Sequence, residues 1–153
     1  MRNEINVGLN FASATEVRKE WSAFFDKAMR VEPVFIKRTR DVAVLTNLKF
    51  IDSLLEKYSF ECTEYQEDDG TITLSANDLD LVENGATEAD AKDKMAASIL
   101  EYATEFYNEF EYWGSAPNRQ SHIPYVFKAL LLNDTRKIGE QIHADVERAE
   151  TLL

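Results

Sequence analysis

Val34-Phe-Ile-Lys-Arg-Thr-Arg-Asp-Val-Ala-Val-Leu-Thr46 is the stretch that decides the fold at the front of this 153-residue chain. Two β-rich runs, Val34–Ile36 and Val42–Leu45, flank a tight turn carrying Lys37, Arg38 and Arg40, a pattern that predicts a hairpin. Upstream, Ala14-Thr-Glu-Val-Arg-Lys19 opens a helix, with Ser13 as its N-cap and Glu16 completing a capping box. Val17, Trp21, Phe24, Phe25, Ala28 and Met29 then share one stripe at helical spacing as far as Arg30, and Pro33 ends the helix. The hairpin tip, with Arg18 and Lys19 of the helix, makes a cationic ridge suited to phosphate. On charge alone the plainer account is a solvated tip whose cations blunt an edge strand.

The net charge of −11 would argue against a polyanion if it were spread evenly. It is not. Residues 1–60 hold 10 Lys/Arg against 8 Asp/Glu, whereas residues 61–153 hold 7 against 20, so the halves carry +2 and −13. The front half can approach a polyanion; the back half would repel one and attract a basic partner. The single cysteine, Cys62, excludes an intrachain disulfide and supplies no metal-ligand cluster. No apolar run nears the roughly 20 residues that span a bilayer. Met1-Arg-Asn-Glu-Ile-Asn6 also lacks the apolar segment of a signal peptide. These features predict a cytoplasmic protein with no membrane partner.

Working outward, Ile5–Phe11 alternates as a strand, and Asn47 can cap a second helix with Leu48, Ile51, Leu54, Leu55 and Tyr58 inward. Near residue 60 the pattern returns to alternation, which divides the chain into 1–60 and 61–153. Strands are predicted around Phe60–Tyr65, at Thr71–Ala76 and at Leu79–Val82, with Asn84-Gly85 as a turn. Thr87 and Asp90 form a second capping box, opening a long helix whose inward stripe is Ala91, Met95, Ile99, Tyr102, Ala103, Phe106 and Phe110. That helix ends near Trp113-Gly114. Pro117 and Pro124 bracket a loop, followed by helices at Tyr125–Leu132 and, capped by Asp134, to about Ala149.

Ala14-Thr-Glu-Val-Arg-Lys-Glu-Trp-Ser22, Pro33-Val-Phe-Ile-Lys-Arg38 and Val42-Ala-Val-Leu45 together resemble the Phd/YefM antitoxin family. The resemblance covers about residues 5–58, with three spaced motifs in the family's order. It implies a β-α-β-β-α module that dimerises, binds operator DNA and represses its own operon. The family's DNA-contacting arginines, one early in the first helix and one at the hairpin turn, fall on Arg18 and Arg38; Lys19, Lys37 and Arg40 lie beside them. Many relatives have a glycine in the turn where this chain has Arg38-Thr-Arg-Asp41. Asp69-Gly-Thr-Ile-Thr-Leu-Ser75, Asp78-Leu-Asp-Leu81 and Gly85-Ala-Thr-Glu-Ala-Asp-Ala91 resemble the HicB antitoxin fold over about residues 61–105. That likeness implies a degenerate ribonuclease-H-like β-β-β-α arrangement, here followed by C-terminal helices. The expectation is therefore an α+β chain with two domains.

Catalysis is not expected. Asp78, Asp80 and Glu83 could be imagined as ligands for two metal ions, but no further carboxylate or histidine follows at a recognisable spacing. His122 is read as a hydrogen-bonding loop residue, His143 as part of a polar helix face, and Cys62 as an inward strand residue lacking the basic neighbours that activate a thiol. No cofactor or metal is implied. Tyr107, Tyr112 and Trp113 lie off the inward stripe among Glu101, Glu105, Glu109 and Glu111. They are either cover for the C-terminal helices or aromatic anchors for a basic protein. Taken with the resemblances, this describes an antitoxin of a bacterial type II toxin-antitoxin module. Its partners would be operator DNA, a small basic toxin (a ribonuclease) and its own copies in a homodimer or higher homo-oligomer. The alternative is a stand-alone transcriptional regulator or oligomerisation module without a toxin.

Overall fold

Ser13 Oγ accepts the Glu16 N–H at 3.1 Å and so begins α1 (Ala14–Lys19) where the capping pattern predicts a start. The computed structural model describes residues 9–147, and the chain divides between Leu54 and Leu55 into two compact units, each with a mixed sheet. The predicted strand at Ile5–Phe11 lies largely outside the described residues; the strand seen is the short β1 (Ala12–Ser13). The helix expected to run unbroken to Arg30 is interrupted at Glu20, whose N–H bonds back to Glu16 O, and resumes as α2 (Trp21–Arg30).

In the front unit, β2 (Val34–Arg38) pairs in parallel with β1 and antiparallel with β3 (Asp41–Leu45). α3 (Leu48–Leu54) follows, capped by Asn47, whose Oδ1 accepts the Phe50 N–H at 2.8 Å while its Nδ2 donates to Met29 O at 2.9 Å. One side chain thus ties α3 to the end of α2. Among the apolar residues described in this unit only Val17, Ala28 and Val34 are buried. Leu48 and Leu54, expected inward, are 65% and 57% exposed, and Trp21 and Phe25 of the α2 stripe are also exposed. The helical spacing is correct, but a unit this small has too few elements to cover both sides of its helices. A groove of about 680 Å³ runs between Phe11, Phe24, Pro33, Phe35, Val44 and Phe50.

The back unit has a far larger core. β4 (Phe60–Gln66), β5 (Ile72–Ala76) and β6 (Leu81–Gly85) form an antiparallel meander. α4 (Glu88–Asn108) then crosses the sheet, starting at Thr87, whose Oγ1 accepts the Asp90 N–H at 3.1 Å. Asp90 returns the bond by accepting the Ala86 N–H at 2.9 Å. Ala91, Met95, Ile99, Ala103 and Phe106 are buried on one face of α4, against Leu74, Cys62 and Phe60 of the sheet.

α5 (Phe110–Trp113), a 3₁₀ segment (Pro117–His122), α6 (Ile123–Leu132) and α7 (Thr135–Glu140) complete the helices. Three expectations need correction here. The long helix expected to reach Trp113-Gly114 ends at Asn108, and the chain restarts after Glu109 as α5. Residues after Gln141 do not continue a helix; they form β7 (Ile142–Val146), parallel to β4, giving the order β6-β5-β4-β7. The open edge of β4 satisfies the backbone groups of these residues better than a frayed helical turn can. Nor is Asn84-Gly85 a turn: it ends β6, and a Cβ on Gly85 would lie 2.3 Å from Ala91 N. The glycine is there so that strand and helix backbones can approach.

Candidate nucleic-acid and partner interfaces

The parallel pairing of β1 with β2 sets Ser13, the cap of α1, opposite Lys37. α1 packs against β2, so the helix bearing Arg18 and Lys19 and the hairpin bearing Lys37, Arg38 and Arg40 belong to one small unit. All five cations are exposed. Among the described residues, the ion pairs of this unit are Lys27–Glu32 and Arg30–Asp26, and none of the five takes part. Lys37 Nζ lies 5.9 Å from the Phe11 ring centroid, a cation–π contact that directs the side chain without neutralising it.

Arg38 pairs with Asp41 across a two-residue loop, Thr39-Arg40. Thr39 holds φ +54°, the positive value that a type II′ hairpin places on its first loop residue. For a β-branched residue this costs on the order of 1 kcal/mol. The turn therefore keeps the tight geometry that a glycine would give, and Arg40 stands exposed at its apex.

In the back unit the aromatic residues divide into two groups. Trp113 is half-buried: it stacks on Phe106 at 6.4 Å and 26°, and its indole N–H donates to Glu109 Oε2 at 3.2 Å. Tyr107 and Tyr112 are open, at 58% and 69% exposed. The three residues expected to act together thus comprise one packing residue and two surface rings.

The three carboxylates considered as metal ligands diverge. Glu83 accepts a hydrogen bond from Ser98, Asp78 is a negative charge that, after burial, helps raise the Tyr125 phenol pKa, and Asp80 sits at a turn with φ +54° beside His122 and Arg119. Among the described residues no three His, Cys, Asp or Glu side chains gather to hold a metal ion. Cys62 is buried, and burial pushes its thiol up to about 11, the direction opposite to a reactive cysteine. His143 lies on β7, exposed, and not on a helix. Sequence reading missed Glu64, which follows Phe60 and Cys62 on the inward face of β4 and is buried with Oε1 unpartnered. Simple alternation would have found it.

His122 is buried under α4. Its Nδ1 lies 2.6 Å from Tyr102 Oη and its Nε2 3.8 Å from Asp80 Oδ2, while Arg119 reaches Tyr102 Oη at 3.4 Å and Asp80 at 3.7 Å. Burial, helped by the Arg119 charge, lowers the imidazole pKa below its ordinary 6.5, against weaker opposite pulls from Asp80 and Asp78. The unfolded chain therefore binds this proton first. The contribution of His122 to stability is complete above about pH 6.5 and is lost as pH falls through the window below it. Wild-type protein should lose melting temperature between pH 7 and pH 5, and His122→Gln should flatten that loss; equal slopes would assign it elsewhere. The capping carboxylates Asp90 and Asp134, held below 3.8 chiefly by backbone N–H donors, act only in a more acid window.

No helix among the described residues is long and apolar enough to cross a membrane. The family model described as antitoxin of toxin-antitoxin, RelE/RelB, TA system, matches residues 9–144, and the chain belongs to that PHD-like family. A crystal structure from Syntrophomonas wolfei subsp. wolfei, described as the antitoxin part of a proposed toxin/antitoxin system, is 32% identical with a TM-score of 0.86. The match covers 91% of this chain and 100% of that one. No curated protein matches significantly.

Proposed function

We propose that this antitoxin is an autorepressor: it binds its operator through the front unit as a homodimer and neutralises a small basic toxin, a ribonuclease, through the back unit. The observation that carries the DNA half is the set Arg18, Lys19, Lys37, Arg38 and Arg40. These are five exposed cations outside any described ion pair, in a chain of net charge −11. Dimerisation is supported by the shortage of buried apolar residues in the front unit, which leaves Trp21, Phe25, Leu48 and Leu54 in need of cover. A second copy supplies that cover symmetrically, and it also presents the cationic ridge twice, as a palindromic operator requires.

The back unit supports the HicB-like reading through its order of three antiparallel strands, a crossover helix and a fourth strand parallel to the first. It works as a binding surface, without catalysis and in the cytoplasm. Its charge of −13 over residues 61–153 attracts a protein that must itself be cationic to hold RNA. Tyr107, Tyr112 and Trp113 lie in that acidic setting, two as surface anchors and Trp113 as the ring that backs Tyr112.

Co-expression with the product of the adjacent small reading frame tests the reading. The neighbour alone should arrest growth, and this protein should restore growth and co-purify with it. A neighbour that is harmless alone, with pull-downs recovering only DNA and the protein itself, would favour a stand-alone regulator.

A further inference from the structure

The geometry points to the ledge formed by the last turns of α4 and by α5, Glu101–Trp113, as a docking surface for arginine side chains of the protein partner. This deepens the antitoxin reading and rests on it. Residues 101–118 contain Glu101, Glu105, Glu109 and Glu111 and no lysine or arginine, so the occupant that complements this charge is cationic. Tyr112, 69% exposed and next to Glu111 in the chain, presents an open ring on this acidic segment.

The molecule already contains one example of the recognition it would offer. The Arg119 guanidinium lies 5.6 Å from the Trp113 ring centroid, and the Trp113 indole is itself bonded to Glu109. The ring takes a cation on its face and a carboxylate at its N–H, while Arg119 itself reaches Asp80 at 3.7 Å. Tyr112 meets Trp113 edge-on at 5.0 Å and 81°, continuing the row Phe106–Trp113–Tyr112 toward solvent. Among the described residues the cation–π contacts occupy Phe11, Tyr58 and Trp113, and none uses Tyr112. A second guanidinium supplied by the partner would extend the row over Tyr112, its planar fork free to reach Glu109 or Glu111. Lysine suits this position less well: its ammonium is a compact, strongly hydrated charge that cannot stack and form a bidentate contact at once.

Calorimetric titration of the full-length protein with oligoarginine and oligolysine peptides of equal length, at physiological salt, tests the assignment. Oligoarginine should bind about fivefold more tightly than oligolysine, and Tyr112→Ala should weaken it about threefold to fivefold while the protein stays folded, its melting temperature falling by only a few degrees from loss of the Tyr112–Trp113 contact. Tyr112→Phe, which keeps the ring, should bind like wild type. Equal affinity for the two peptides, or oligoarginine binding unaltered in Tyr112→Ala, would overturn the proposal. Failure here is separable from failure of the antitoxin reading. A complex with the neighbouring gene's product that forms equally well with Tyr112→Ala would leave that reading standing and remove this one.

Discussion

Replacing Arg18 and Arg38 together by alanine should abolish specific binding to the DNA upstream of this gene. The expected loss is about 2–6 kcal/mol, from roughly 1–3 kcal/mol for each arginine that makes a bidentate contact to a guanine edge. Both side chains are exposed and outside the described ion pairs, so the substitutions should leave thermal stability within about 0.5 kcal/mol of wild type. Lys19→Ala, Lys37→Ala and Arg40→Ala should behave differently. Each should weaken binding to all sequences alike and reduce the salt slope by about one, as the loss of a phosphate contact does. Gel-shift titrations at three salt concentrations separate these outcomes. If the double variant still selects its operator, or if wild type binds every duplex equally, the DNA half of the proposal falls.

Phe106→Ala should be the most damaging single truncation in the back unit, at about 3–5 kcal/mol. Phe106 is 1% exposed and forms the hub of a ring cluster, with Tyr102 at 5.9 Å, Phe110 at 5.7 Å and Trp113 at 6.4 Å. Removing the hub takes away buried apolar surface and leaves a cavity that three rings must collapse to fill. Tyr107→Ala, one residue along, should cost no more than about 0.5 kcal/mol, because its ring already faces water. Urea unfolding of the whole chain, followed at the transition of the back unit, provides the comparison. Similar losses for both variants would mean that the inner and outer faces of α4 are misassigned.

The parts of the fold that were legible in the sequence are those fixed by local chemistry. Ser13, Asn47, Thr87 and Asp134 are each short polar residues placed before a helix, and each accepts a backbone N–H from the first turn. The inward stripe of α4 was readable for the same reason as far as Phe106, since helical spacing does not depend on what covers it; Phe110, expected on the same stripe, lies past the end of α4 and is 38% exposed. β7 was not legible. Ile142-His-Ala-Asp-Val146 follows a well-capped helix and could extend it, and only the waiting edge of β4 decides otherwise. Gly85 misled in another way: its neighbour Asn84 suggested a turn, while the real requirement is a backbone approach to Ala91, six residues on in α4. Of the candidate sites, the exposure of Lys37, Arg38 and Arg40 could be read directly, because charge at a hairpin tip has nowhere to hide. Trp113 could not be separated from Tyr107 and Tyr112 until the stacking on Phe106 was seen.

The parallel pairing of β4 with β7 also sets a timetable for synthesis. Phe60 leaves the ribosome about eighty residues before its neighbour Ile142, a wait of roughly 4–16 s at about 5–20 residues per second. Through that interval one side of β4 has no strand beside it, while every element of the front unit has already emerged. On the proposed division of labour, a growing chain acquires its operator-binding part first and its toxin-binding part last. A message cut short before codon 142 would then yield a repressor that silences the operon without supplying a working antidote.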